Sequence, residues 1–376
     1  MSIAEKLSGL GPKRLLALDG GGIRGIISIE VLAAIEALLQ RRLNRGDDFV
    51  LADYFDYIAG TSTGGIIAAC LAWGMRMSEV RTFYRENGKT MFDKASLLRR
   101  FRYKYEDAAL AGKLREVFSE HGEPSTLGSE RLRTLLLLVM RNSTTDSPWP
   151  VCNNPRAKYN DRARPDCNLN LPLWQLVRAS TAAPTYFPPE VIDVGSQRFT
   201  FVDGGITPYN NPAMQLYVMA TLPQYRLGWP TGEDRLLIVS IGTGISPEAN
   251  EDLAPGDMNL LYNATSLPSA LMAGALHQQD LLCRALGKCL YGDEMDREIG
   301  SMIWDEAHAG PARQFTYVRY NAELTSRGLK EYGLSDVRSE NVQQLDSITY
   351  ITDLMRVGRA VGERIRDEHF PVAFDK

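Results

Sequence analysis

Two segments near the start of this chain pass from a short apolar run through a cluster of glycines straight into a helical pattern, and that repeated corner limits the fold more than any other feature. Leu15, Leu16, Ala17 and Leu18 precede Asp19 and Gly20-Gly21-Gly22; Ile26, Ile29, Leu32, Ala33, Ile35, Leu38 and Leu39 then recur at helical spacing. The corner returns when residues 55–59 run into Gly60-Thr61-Ser62-Thr63-Gly64-Gly65 and an alanine-rich helix from Ile66 to Trp73. Two successive strand–helix units predict an α/β fold with a parallel sheet. A further apolar strand, Leu236 to Ile241, ends in Gly242-Thr243-Gly244, and Phe199 to Val202 ends in Asp203-Gly204-Gly205. Sheets of this class place their sites in the loops at the carboxyl ends of the strands, where these glycines fall.

The rest of the chain sets bounds. Its 376 residues are 44% hydrophobic and 23% charged, enough to bury a large core. A net charge of −4 argues against a dedicated DNA or RNA binder. The longest apolar runs, Leu135 to Met140 and Ile66 to Trp73, are far too short to span a bilayer, and no secretory pattern opens the sequence, so a cytoplasmic location is expected. Cys70, Cys152, Cys167, Cys283 and Cys289 show no metal-ligand spacing and suit reduced packing residues. Helices are expected near 78–87 and 110–120, while 131–140 reads as strand or buried helix. Residues 142–170 are polar and read as a long loop crossing the site. Periodicity then weakens after Gly244 until a helical face at 348–365, which closes the domain or joins copies in a homo-oligomer. The expected organisation is one domain, 1–376, with a motif-bearing core at 14–244 and a helical region at 245–376.

The glycine corners carry the chemistry. Gly60-x-Ser62-x-Gly64 has the spacing of a nucleophile elbow, which sets a serine on a tight turn at a helix N-terminus; a glycine-serine helix cap is the plainer alternative. None of the histidines His121, His277, His308 and His369 sits in a motif. Asp203, at an apolar strand end before Gly204 and Gly205, is the better partner, because desolvation raises a carboxyl toward the pKa a base needs. Gly20, Gly21 and Gly22 offer consecutive N–H groups suited to an oxyanion or a phosphate. Gly20, Gly22 and Gly25 also spell G-x-G-x-x-G, so a dinucleotide-binding oxidoreductase competes, with Asp47 or Asp48 as its ribose-binding acid. Asp19 before the loop and Arg24 within it count against that rival.

Taken in order, Asp19-Gly20-Gly21-Gly22-Ile23-Arg24-Gly25, Gly60-Thr61-Ser62-Thr63-Gly64-Gly65, Ala179-Ser180-Thr181-Ala182-Ala183-Pro184-Thr185-Tyr186-Phe187 and Asp203-Gly204-Gly205 resemble the motifs of patatin-like phospholipases, over about residues 14–244. The resemblance implies a three-layer α/β/α fold of the patatin type with a mainly parallel sheet. It also implies a catalytic dyad of Ser62 and Asp203, an oxyanion hole formed by the backbone of Gly20, Gly21 and Gly22 with Arg24 beside it, and hydrolysis of lipid acyl esters with no metal or organic cofactor. Bacterial members include effectors of antiphage signalling switched on by cyclic dinucleotides to degrade the cell's own membrane. By that analogy a cyclic dinucleotide is the expected activator and membrane phospholipid at the inner surface the expected substrate; a constitutive lipase, or a sensor without catalysis, are the other readings.

Two segments could meet anionic groups: Lys94, Arg99, Arg100, Arg102 and Lys104 among Phe101, Tyr103 and Tyr105, and Arg156, Lys158, Arg162 and Arg164 around Tyr159. An ordinary solvated face is the plainer reading of each, and neither is named as a sensor site. The loop at 142–170 is the expected lid over Ser62.

Overall fold

The computed structural model describes residues 3–7, 11–92, 107–184, 187–246, 260–306 and 310–375. Among these, nine strands form one sheet: β1 (Lys13–Leu18), β2 (Tyr57–Thr61), β3 (Leu135–Asn142), β4 (Ser147–Cys152), β5 (Glu190–Val194), β6 (Gln197–Asp203), β7 (Leu236–Ile241), β8 (Lys288–Tyr291) and β9 (Thr316–Tyr320). Their spatial order is β8-β9-β7-β1-β2-β3-β6-β5, with β4 also on β3. The run from β8 to β3 is parallel throughout, and β4, β5 and β6 pair antiparallel. The longer helices are α1 (Gly25–Arg42), α2 (Thr63–Ala72), α3 (Met77–Phe92), α4 (Asp107–Val117), α5 (Leu173–Ser180), α6 (Ala213–Thr221), α7 (Leu260–Leu286) and α8 (Ile351–Gly362).

Successive side chains of a strand face opposite ways, so a strand covered on both sides must be apolar at every position. Leu16, Leu18, Ile58, Leu136, Leu138, Leu237 and Val239 enter one core with residues of α1, α2 and α8. Leu15, Ala17, Tyr57, Ala59, Leu135, Leu137, Leu236 and Ile238 enter a second core with Ala213, Leu216 and Met219 of α6. The result is the expected α/β/α layering around a mixed, mostly parallel sheet. It also decides the segment at 131–140, whose unbroken leucines are a central strand buried on both faces.

The last third differs from the expected helical region. Strands β8 and β9 lie within it and extend the same sheet beyond β7. They are short and carry polar residues such as Lys288, Thr316 and Arg319, and no glycine corner follows them, which hides their period. The helical face expected near the C-terminus is real and closes onto α1. A Cβ at Gly358 would stand 2.7 Å from Glu30 Cβ and 2.8 Å from the Ile27 carbonyl.

The segment at 142–170 does not cross the site. After its first turn it folds back as β4, pairing Ser147 with Asn142 and Cys152 with Leu137, and so runs toward the opposite end of the sheet. There Asn153 Oδ1 accepts from Leu136 N–H and Asn154 donates to the Tyr225 carbonyl. Of the two basic segments, Arg164 pairs with Asp166 and stacks with Lys158 around Tyr159 within this remote loop. The segment Lys94 to Lys104 lies outside the described residues.

Two features of the sheet position the site. Strand β4 occupies one edge of β3, so β6 must take the other edge, which β2 leaves at Thr61. Met140 therefore faces Asp203 immediately beyond the point where Val139 faces Thr61, and the end of β6 arrives beside Ser62. The second feature is a buried ion pair. Arg319 of β9 reaches under β7 to grip Asp19 at the end of β1, with Nη1–Oδ1 at 2.9 Å and Nη2–Oδ2 at 2.5 Å, and donates to Ser240 Oγ at 2.7 Å. Both residues are buried, and removing one member of such a pair strands the other charge. Asp19→Asn or Arg319→Met is expected to lower the unfolding free energy by about 3–5 kcal/mol, measured by urea denaturation.

Candidate active site

Ser62 sits between the last residue of β2 and the first of α2 with φ 55° and ψ −124°, a left-handed backbone that costs a non-glycine residue on the order of 1–3 kcal/mol. The turn is held by close packing. A Cβ on Gly60 would lie 2.0 Å from the Gly64 carbonyl oxygen, and one on Gly64 would lie 2.3 Å from that of Leu18 in β1. Ser62 N–H donates to Ser180 Oγ at 3.0 Å, and Ser180 Oγ donates to the Val139 carbonyl at 2.6 Å, so the end of α5 ties the elbow to β3. The serine hydroxyl thus projects from the sharp strand-to-helix turn the sequence predicts.

Ser62 Oγ donates to Asp203 Oδ2 at 2.6 Å, and Gly205 N–H donates to Asp203 Oδ1 at 2.6 Å. The carboxyl is 5% exposed. Burial pushes it up to about 6, against the pull of the Ser62 and Gly205 hydrogen bonds. Gly204 has to be glycine, because a Cβ there would stand 2.3 Å from the Val139 carbonyl. Among the described residues, no histidine hydrogen-bonds to Ser62; His369 is engaged with Tyr320 instead.

The third corner comes alongside as well. A Cβ on Gly20 would be 3.2 Å from Ser62 Cβ. Of the three glycine N–H groups expected to serve an oxyanion, that of Gly20 is already committed to the Asn210 carbonyl at 3.2 Å. Those of Gly21 and Gly22 have no hydrogen-bond acceptor among the described residues. Gly22 adopts φ +60°, and the next residue, Ile23, donates to the Leu345 carbonyl, so the C-terminal third braces the loop from outside. Arg24 has no ion-pair partner among the described residues; its Nε is buried without a hydrogen bond, and desolvation brings the guanidinium down to about 10.

The dinucleotide alternative does not assemble. Asp47 and Asp48 are exposed beyond the C-terminal end of α1, a helix of 18 residues and roughly 27 Å whose other end meets the glycine loop. The space beside Gly21 is taken by Thr243, whose Oγ1 would lie 2.1 Å from a Cβ there.

A family model described as patatin-like phospholipase matches residues 16–217. The chain belongs to the patatin-like phospholipase family. It is thereby an ester-hydrolysing lipase. Patatin-like protein 1 of Oryza sativa subsp. indica is 31% identical over 328 residues, covering 74% of this chain and 75% of its own. The cGAMP-activated phospholipase of Vibrio cholerae is 33% identical over 214 residues, covering 53% of this chain and 55% of its own, so the chain spans about half of that relative. The solved structure of human GIVD cytosolic phospholipase A2 is 15% identical with a TM-score of 0.44, covering 96% of this chain and 60% of its own. No helix among the described residues is long and apolar enough to cross a membrane.

Sequence reasoning brought Ser62, Asp203 and the glycines together but assigned no role to Ser180, Thr243, Asn210 or Arg319. Ser180 lies within the Ala179–Phe187 motif, at the end of an apolar helix, and Asn210-Asn211-Pro212 follows Gly205 after four residues, just before α6. Nothing local marks Arg319. Ser180→Ala leaves the Ser62 N–H without its acceptor, and the expected cost is about 1–3 kcal/mol in unfolding free energy, read by chemical denaturation.

Proposed function

We propose that this chain is a lipid acyl hydrolase of the phospholipase A type, working through Ser62 and Asp203. The observation that carries the reading is the 2.6 Å hydrogen bond from Ser62 Oγ to a buried carboxylate. Ser62 Oγ attacks the ester carbonyl carbon while its proton passes to Asp203 Oδ2. The Gly21 and Gly22 N–H groups, at the start of a helical turn and next to Arg24, hold the resulting oxyanion. Collapse expels the lysolipid or alcohol with the proton from Asp203. Water then attacks the acyl-Ser62 ester, gives its proton to Asp203, and the fatty acid leaves as that proton returns to Ser62. The scheme uses no metal or organic cofactor.

We extend the proposal to the setting. The substrate is membrane phospholipid at the inner surface, and a cyclic dinucleotide switches the enzyme on as part of antiphage defence. The relative named as a cGAMP-activated phospholipase supports this. The second reading, a constitutive lipase without an activator, draws on the plant patatin-like relative that aligns with 74% of the chain. Fatty-acid release from phospholipid vesicles, with and without a panel of cyclic dinucleotides, separates the two: release only with a ligand supports the effector, and equal release without one supports the constitutive lipase.

Ser62→Ala and Asp203→Asn are each expected to reduce release to background without lowering the melting temperature below that of wild type, since they act on one acyl-transfer unit. Turnover that survives in either variant removes that residue from the mechanism. Asp203 must be ionised to accept a proton. With its carboxyl pushed up to about 6, kcat/KM is expected to fall about tenfold per pH unit below that value and to level off above it, as read from a pH–rate profile.

A further inference from the structure

Asn210 is 2% exposed, and its side chain meets the site rather than the scaffold. Its main chain is the structural part: the carbonyl accepts from Gly20 N–H, and the neighbouring Tyr209 carbonyl accepts from Thr61 Oγ1 at 2.7 Å. These bonds fix the corner after Asp203 to the ends of β1 and β2 and need no particular side chain. The carboxamide fills the gap between the two glycine corners. A Cβ on Gly20 would stand 2.3 Å from Asn210 Oδ1 and 3.2 Å from Ser62 Cβ. A Cβ on Gly205 would stand 3.0 Å from Asp203 Oδ1 and 3.3 Å from Asn210 Oδ1. The amide therefore borders the nucleophile, the base and the glycine loop together.

Its buried Oδ1 has no hydrogen-bond partner. The adjacent Asn211 is tied to the scaffold through its oxygen, which accepts from Ala213 N–H and from Ser240 Oγ, while its own buried Nδ2 is unpartnered. An amide can present either its oxygen or its NH2 by a half turn, and the two are assigned from their surroundings. A buried acceptor without a donor is unfavourable, whereas a buried donor facing a developing negative charge is what acyl transfer requires.

We infer that Asn210 is a further catalytic residue, donating an Nδ2–H hydrogen bond to the oxyanion of the tetrahedral intermediate in place of the Gly20 N–H that its own carbonyl occupies. The inference rests on the Ser62–Asp203 mechanism proposed above. Asn210→Asp keeps the shape, loses the donor and adds repulsion; Asn210→Ala removes the group; Asn210→Ser keeps a short hydroxyl donor. Steady-state kinetics on a soluble p-nitrophenyl ester, inhibition by a trifluoromethyl ketone that forms a hemiketal with the serine, and melting temperatures are measured for the full-length protein, with Ser62→Ala as control.

The expected result is a kcat lower by about 10²–10³ for the Ala variant, and lower still for Asp, with KM within a few-fold of wild type. Ketone affinity should fall in parallel with kcat, and Ser should recover part of the rate. A variant that keeps kcat within threefold of wild type, or that loses only KM or melting temperature, overturns the inference and leaves the dyad standing. Turnover retained by Ser62→Ala overturns the dyad itself, and this inference with it.

Discussion

The site depends on how closely three pieces of backbone approach one another. The Gly60–Gly64 turn and the end of β1 are near enough that a single methyl group at either glycine would collide with a carbonyl oxygen. That contact holds Ser62 in a left-handed conformation no isolated serine would keep, and it also presses the Gly20 loop against the serine side chain. Packing in the surrounding sheet therefore supplies the strain. The β1 and β2 side chains that hold the turn are buried on both faces, and the Asp19–Arg319 pair anchors the end of β1 directly beneath the glycine loop.

The same sheet sets the electrostatics. Because β6 takes over the edge of β3 where β2 stops, Asp203 is delivered to a dry position with two hydrogen-bond donors and, among the described residues, no cation bonded to it. Raising its carboxyl from 3.8 to about 6 corresponds to a burden on the order of 3 kcal/mol for the ionised form. The sign is opposite to that of a salt-bridged aspartate: its contribution to stability is fully present below the unfolded pKa and is lost as pH rises through about 6. At neutral pH the fold carries a carboxylate it would be more stable without; in the proposed mechanism that carboxylate takes the Ser62 proton without an imidazole between them.

What could be read from the sequence was whatever local pattern encodes. Strand, glycines and helix at Gly20 and Gly60 are contiguous, so Ser62, the loop glycines and Asp203 were recognisable before any coordinates, and so was the α/β class. The errors lie where distant segments meet. Strands β8 and β9 carry no apolar alternation of their own; the pairing of β9 with β7, and of β8 with β9, makes them strands. The segment at 142–170 looked like a lid because polarity does not reveal the antiparallel return of β4. The Gly20 N–H looked available because its acceptor, the Asn210 carbonyl, is 190 residues away in sequence, and Arg319 is 300 residues from Asp19.

The central claim is that Asp203 activates Ser62 directly. The most direct test is the rate and location of covalent labelling by a fluorophosphonate, followed by peptide mass spectrometry across pH in wild type and Asp203→Asn. The account predicts phosphonylation on Ser62 alone, with a rate that climbs through about pH 6 and collapses in the Asn variant although Ser62 is still present. A label on another residue, or an Asn variant labelled as fast as wild type, would contradict it.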